Sequence, residues 1–249
     1  MIVSHNELVA CVYKAFLGMR RQCGEADIVA NMVADLQMVD LNGIHYFNQA
    51  SLRLNLDNDC AVRIINDTKE ECEIDLNNGS IACHLPAILD FALEKMVGCK
   101  QVCIKINQCH DRWLAYSELL RLSAKGISCR AGWFSHNQSK YIQYILNRGC
   151  VAPDIFFAEQ GKIDEQSDIC FRNTKSMVIE LSTTCLNADN IMVRGIHKIH
   201  GATLVERQKE SLENGIYVDD EDWQQLKQAA SVFLVEDSEQ SSLNAGGLV

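Results

Sequence analysis

The chain has 249 residues, 47% of them hydrophobic, and a formal net charge of −10. That is enough for one large domain or two small ones around a sizeable core, and the acidic balance argues against non-specific nucleic-acid binding, which needs basic patches to neutralise phosphate. No apolar run approaches the ~20 residues of a membrane-spanning helix, and no basic segment followed by an apolar core marks a leader, so a cytoplasmic protein that does not enter membranes is expected.

In chain order, Ser4 and Glu7 form a capping box that opens a helix running to about residue 21. A second helix is predicted over 25–42, with Ile28, Met32, Leu36 and Val39 as its buried stripe and Gly43 just past its end. A third, shorter helix is predicted over 46–54. Strands are predicted at 60–65 and 71–76, and Asn77-Asn78-Gly79 turns the chain into a central block spanning 76–137. That block reads as a strand at 80–84, a helix opened by Pro86 and closed by Gly98, a strand at 101–106, a helix from Asp111 through Lys125, and a strand at 127–134. Strands alternating with helices predict an α/β fold of βαβ units with a parallel or mixed sheet, against which the amino-terminal helical pair packs. A short helix is then predicted at 140–146, strands at 154–157, 169–171 and 177–182, and helices at 202–213 and 219–235, the last capped by Asp219. The expected organisation is a single α/β domain over 1–235, with a helical segment at 4–54 and carboxyl-terminal helices at 202–235. Residues 236–249 are a polar tail expected to be mobile.

Ligands of such sheets bind beyond the carboxyl ends of the strands. Two of those ends are Asn107-Gln108-Cys109-His110 and Ser135-His136-Asn137. His110 and His136 are therefore the candidate catalytic residues, since imidazole both donates and accepts a proton near neutral pH. The plainer alternatives are packing at a strand end for His110 and an exposed loop position for His136. Asn107, Asn137 and Arg130 are weaker candidates for substrate binding. Asn107 can also cap the next helix, and Arg130, inside a strand, can pair with a buried carboxylate. The chain has 12 cysteines and no Cys-x-x-Cys pair, so zinc and iron–sulfur sites are not expected. Reduced thiols packed as small apolar residues are expected instead. Cys83-His84 and Cys109-His110 are adjacent residues that a strand would point to opposite faces, and His197-x-x-His200 has no carboxylate partner, so no metal site is assigned.

Several stretches resemble the type-2 malate/L-lactate dehydrogenases, NAD(P)-dependent reductases of 2-keto acids and some cyclic imines. They are Asn78-Gly79, the strand ending in Asn107 with His110 three residues on, Gly126-Ile127 and Asn137. The segments 25–30 and 40–44, and Gly215-Ile216 with Asp219, Trp223 and Leu226, are similar too, as is the strand at 178–183 with Glu180 where an Asp is usual. The chain is markedly shorter than those enzymes, and in this it resembles a short bacterial family catalogued only as a domain of unknown function. Three departures stand out. Tyr46-Phe47-Asn48 replaces the Ser-His-Gly segment whose histidine belongs to the dehydrogenase active site, and His45 is out of register. Asp111, Arg112, Trp113 and Leu114 replace the small residues that let a cofactor approach. The glycine-rich Gly-Thr-Asn-Pro segment is absent, and no Gly-x-Gly-x-x-Gly replaces it.

The resemblance thus implies a divergent relative without a cofactor, acting as a small-molecule-binding or accessory subunit. An active NAD- or NADP-dependent reductase with His110 as proton donor is the alternative, and a non-redox isomerase or hydratase using His110 and His136 is the second. A homodimer, or a heterodimer with a full-length dehydrogenase, is expected from the same resemblance.

Overall fold

Helix α2 (Cys23–Met38) is the hub of the helical layer. Its residues Ala26, Val29, Ala30, Met32, Val33, Ala34 and Leu36 are all fully buried, so it is apolar on almost every side. Helix α1 (His5–Gly18) packs on one flank, opened as expected by Ser4, whose Oγ accepts the Glu7 N–H at 3.2 Å. Helix α3 (Gly43–Leu54) packs on another. A computed structural model describes residues 1–54, 62–135, 140–159, 175–186 and 197–232 of the chain. The strand predicted at 169–171 and the tail at 236–249 lie outside these residues.

Gly43 starts α3 rather than ending α2. A Cβ there would stand 2.2 Å from the Val33 carbonyl oxygen, so only glycine lets α3 begin this close to α2. Buried Gln37 fixes the junction: its Oε1 accepts the Ile44 N–H at 3.0 Å and its Nε2 donates to the Tyr217 carbonyl at 2.9 Å.

Among the described residues the main sheet has eight strands: β2 (Arg63–Asp67), β3 (Glu71–Asp75), β4 (Gln101–Asn107), β5 (Ser128–Phe134), β6 (Lys140–Leu146), β7 (Asp154–Glu159), β8 (Met177–Ser182) and β9 (His197–Ile199). Their order is β2-β3-β4-β8-β5-β6-β7-β9, and a separate ladder pairs β1 (Ile2–Val3) with β10 (Ile216–Tyr217). The architecture is α/β with a mixed sheet. β3 and β4 are parallel neighbours joined by helix α4 (Ile81–Met96), which makes one βαβ unit. The next crossover does not give neighbours: β8 lies between β4 and β5 and is antiparallel to both, with Ile179 opposite Ile104 and Ala131. The carboxyl ends of β4 and β5 therefore flank the first residue of β8, Met177.

Three local expectations are corrected. Residues 81–84 are helical, not a strand. Ser80 is the N-cap of α4, its Oγ accepting the Ala82 N–H at 3.3 Å, and Ile81, Leu85, Ile88, Leu89 and Ala92 bury a helical stripe that runs through Pro86. Residues 140–146 form β6, not a helix, because Tyr141, Ile142, Tyr144, Ile145 and Leu146 suit a strand buried on both faces between β5 and β7. Asp111 does not cap a regular helix. It adopts a left-handed conformation, followed by a 3-10 turn at Arg112–Ala115 and then α5 (Tyr116–Ala124). His197 begins β9, and His200 precedes α6 (Gly201–Asn214). Helix α7 (Asp220–Ser231) is capped by Asp219, as expected, through the N–H groups of Glu221 and Asp222. Among the described cysteines, Cys72, Cys109 and Cys129 are buried while Cys23, Cys150 and Cys185 are exposed.

Candidate functional site

A cleft of about 450 Å³ opens where α3 passes over the carboxyl ends of β4 and β5. That is within the size range of small-molecule sites and at the position expected for an α/β sheet. From α3 come His45, Tyr46, Gln49 and Arg53; from the turn after β4 come Asp111, Arg112 and Trp113; from β5 and its end come Trp133, Phe134 and Ser135. Residues 45, 49 and 53 are spaced by four, so they share one helical face.

One wall is aromatic. Trp113 stacks on Tyr46 with ring centroids 5.7 Å apart and 19° between planes, meets Trp133 edge-on at 5.4 Å and 88°, and lies 6.2 Å from Phe157. Such pairs contribute roughly 0.5–1.5 kcal/mol each beyond burial, so Trp113 is held in place rather than free to turn out. Arg112 is held too: Nη1 donates to the Cys109 carbonyl at 3.0 Å and Nη2 to the Phe134 carbonyl at 2.9 Å. Its guanidinium ties the loop after β4 to the end of β5.

The floor carries an ion pair between Arg53 and Asp111. The Asp111 side chain is only 2% exposed, whereas that of Arg53 is 36% exposed. Asp111 has φ 59° and ψ 35°, a conformation that non-glycine residues seldom adopt and that marks stored backbone strain. Only its Oδ1 meets Arg53. Among the described residues, neither the buried Asp111 Oδ2 nor the buried Arg53 Nε has a hydrogen-bond partner.

At the outer rim, His45 Nδ1 is 3.3 Å from the Asp222 carboxylate of α7, and its Nε2 is 2.8 Å from Gln49 Nε2. This network assigns the tautomer: Nδ1–H donates to the carboxylate, and Nε2 accepts from the amide. Buried Asn48 secures the same aspartate by donating to its carbonyl at 2.9 Å. An imidazole oriented by a carboxylate and facing a cleft can move a proton to or from a bound molecule.

The residues singled out from the sequence fall differently. His110 sits beside this floor but does not line the cleft. Its N–H donates to the Gly79 carbonyl at 3.0 Å and its carbonyl accepts the Ile81 N–H at 3.0 Å, so its backbone pins the loop to the start of α4. Burial, followed by the nearby Arg53 guanidinium, holds its imidazole pKa below the usual histidine value. Asn107 is fully engaged, with Nδ2 donating to Glu73 Oε1 at 2.7 Å and Oδ1 accepting from Ser176 at 3.0 Å. Arg130 pairs across the sheet with Glu180 at 3.1 Å, away from the cleft. His136 and Asn137 lie outside the described residues.

Sequence reading missed His45, Gln49, Arg53 and Trp133 as site residues. The polar residues at 45, 49 and 53, spaced by four on a helix that buries Ile44, Phe47, Asn48, Ala50 and Leu54, were the available signal. Among the described residues no group of three or more His, Cys, Asp or Glu side chains could hold a metal ion. A second hollow, of about 540 Å³, lies beside Asp154 and the start of α6, but Asp154 is satisfied there by the Gly201 N–H and Lys198, both at 2.9 Å.

The described cleft residues do not fit a dinucleotide. A pyrophosphate needs exposed backbone N–H groups at a glycine-rich turn or a free helix start. No glycine lines the cleft, the Leu114 N–H is bonded to the Asp111 carbonyl at 2.9 Å, and Trp113 stands at the turn.

Comparison with known proteins agrees with this fold. Residues 3–80, which carry α1 to α3, match the model of a family described as "Protein of unknown function (DUF3726)". No curated protein matches. Malate dehydrogenase from Pyrococcus horikoshii OT3 is similar over 95% of this chain and 96% of its own, at 9% identity and a TM-score of 0.69. Malate dehydrogenase from Entamoeba histolytica covers 94% of this chain and 98% of its own, at 12% identity and a TM-score of 0.65. Delta1-piperideine-2-carboxylate reductase from Pseudomonas syringae pvar. tomato covers 92% and 99%, at 11% identity and a TM-score of 0.55. At these identities the likeness is one of fold: the chain has a malate/lactate dehydrogenase-like architecture.

Proposed function

We propose that this chain is a divergent relative of the 2-keto acid and imine reductases that binds a small molecule between α3 and the ends of β4 and β5 without a dinucleotide. It serves as a ligand-binding or accessory subunit, alone as a homodimer or beside a full-length dehydrogenase. The observation that carries this reading is Trp113, fixed against Tyr46 and Trp133 in the turn where a cofactor phosphate would need bare backbone. The fold alone does not carry dehydrogenase chemistry.

One observation favours a second reading, proton-transfer catalysis. The Asp222–His45 pair faces the cleft, whereas His110 is set back from it. If the protein is a reductase or a non-redox isomerase or hydratase, His45 is the better-placed acid or base, with His110 as a neutral neighbour. The two readings separate in a turnover assay that follows NADH and NADPH consumption with a panel of 2-keto acids and cyclic imines. The first predicts no consumption above the blank. Turnover that His45→Asn abolishes would establish the second, and light scattering of the protein would report the dimer.

A further inference from the structure

His45 and Gln49 meet nitrogen to nitrogen. Gln49 Nε2 lies 2.8 Å from His45 Nε2, and on the other side of the ring His45 Nδ1 lies 3.3 Å from the Asp222 carboxylate. An amide nitrogen only donates and a carboxylate only accepts. Both contacts are therefore hydrogen bonds only while the imidazole is neutral and carries its proton on Nδ1. With its nitrogen on the ring, Gln49 keeps its amide oxygen free: among the described residues Oε1 has no hydrogen-bond partner. Gln49 is exposed and lines the cleft, so this oxygen is the end of the side chain left for a ligand.

A proton on His45 reverses the arrangement. Imidazolium donates from both nitrogens, so Nε2–H would then meet the amide donor to donor. Half a turn of the Gln49 amide about its broad terminal torsion brings Oε1 onto Nε2–H and restores the bond. The amide NH2 then becomes the free end, while the bond to Asp222 is kept throughout. The charged groups around the ring allow both states. From α7, Asp222 faces the imidazole. Asp219, Asp220 and Glu221 precede it at the helix start, where Asp219 is bonded to two helix N–H groups and Asp220 to the Met1 ammonium. From α3, the Tyr46 ring lies edge-on at 5.9 Å, and Arg53 follows on the same face, paired with Asp111. Arg112, from the turn after β4, is bonded to two backbone carbonyls, and Asp35 of α2 accepts from Ser117 of α5.

We propose that Gln49 is a specificity-determining residue of the cleft and that His45 switches it. With His45 neutral, the amide oxygen selects a hydrogen-bond donor. With His45 protonated, the amide NH2 selects an acceptor, and an anion above all. The proposal rests on the reading of the cleft as a small-molecule site and names how that site chooses its ligand.

One test needs no ligand. Long-range proton–nitrogen correlation spectra of the isotope-labelled, full-length protein at about pH 8 should show His45 with its proton on Nδ1. The Gln49 amide protons, identified by their loss in Gln49→Met, should shift between about pH 8 and pH 5.5 in step with the His45 ring, and His45→Asn should remove that shift. A proton on Nε2 at the higher pH, or amide signals that stay in place, would overturn the proposal. The second test titrates two probes, with tryptophan fluorescence as readout: benzenesulfonate, an anion at every pH used, and benzyl alcohol, a neutral donor. Benzenesulfonate should bind about fivefold more tightly at the lower pH, and benzyl alcohol should bind more weakly there. Gln49→Met keeps the charge of His45 but has no amide to turn, so it should lose at least about half of the gain. A gain kept in full by Gln49→Met would mean that charge alone acts, and one kept by His45→Asn would mean that another group, such as His110, is responsible; either contradicts the proposal. Binding of both probes without any pH dependence would sink this proposal alone. No binding of either probe at millimolar concentration would remove the small-molecule reading of the cleft and the proposal with it.

Discussion

Removing Arg53 exposes how much the cleft floor depends on one ion pair. Breaking a buried pair by deleting one partner typically costs about 3–5 kcal/mol, because the remaining charge is left without compensation. Asp111 fits that case, with its side chain 2% exposed, but Arg53 is 36% exposed, so water can partly replace it. Arg53→Ala is therefore expected to lose about 2–3 kcal/mol. Asp111→Asn keeps the left-handed backbone and some hydrogen bonding, and is expected to lose about 1 kcal/mol. The double variant no longer carries a stranded charge, so it should be more stable than the sum of the single losses implies, with a coupling of about 1–2 kcal/mol. Urea unfolding followed by circular dichroism gives the three values. An Arg53→Ala loss below about 0.5 kcal/mol, or coupling within error of zero, would refute the account of the cleft floor.

Three other perturbations follow from single features. Gly43→Ala places a methyl group 2.2 Å from the Val33 carbonyl oxygen, so it should cost about 3 kcal/mol or more in the same unfolding assay and displace the α3 side chains that line the cleft. Tyr144 is buried with a hydroxyl that lacks a partner among the described residues, so Tyr144→Phe should raise stability by about 1 kcal/mol rather than lower it, which thermal melting will show. The folded protein holds the His110 pKa below its unfolded value of about 6.5, so the unfolded chain takes up a proton first as pH falls. Stability linked to His110 is thus full above that pH and is lost below it, and His110→Gln should flatten the fall in Tm between about pH 7 and 5.

Much of the helical layer was legible because its signals are local. Ser4, Asp219 and the apolar spacing of α2 set helix starts and buried faces without reference to the rest of the chain. β4 and β5 were legible for the same reason. The order of the sheet was not, because the placement of β8 between them depends on long-range pairing that leaves no local mark. Residues 140–146 fit either a short helix or a strand until burial on both faces selected the strand. At the candidate site, the carboxyl ends of β4 and β5 that the sequence marked adjoin the cleft, but the described residues singled out from it do not line it. Asn107 is bonded to Glu73 and Ser176, and Arg130 pairs with Glu180. The cleft instead draws on α3, distant in sequence from β4 and brought over it by the Gly43 contact with α2 and by the Asp222 anchor of His45. The Trp113 departure was visible in the sequence. Its consequence required the neighbouring rings.

Calorimetric titration of the purified protein with NADH and NADPH, in reduced and oxidised forms, tests the cofactor-free reading most directly. The aromatic wall and the lack of a glycine-lined turn at the cleft predict no binding at micromolar concentrations, with Trp113→Ala changing stability but not creating tight nucleotide binding, since the donors for a pyrophosphate would still be missing. A low-micromolar Kd for either nucleotide in the wild-type protein would contradict it.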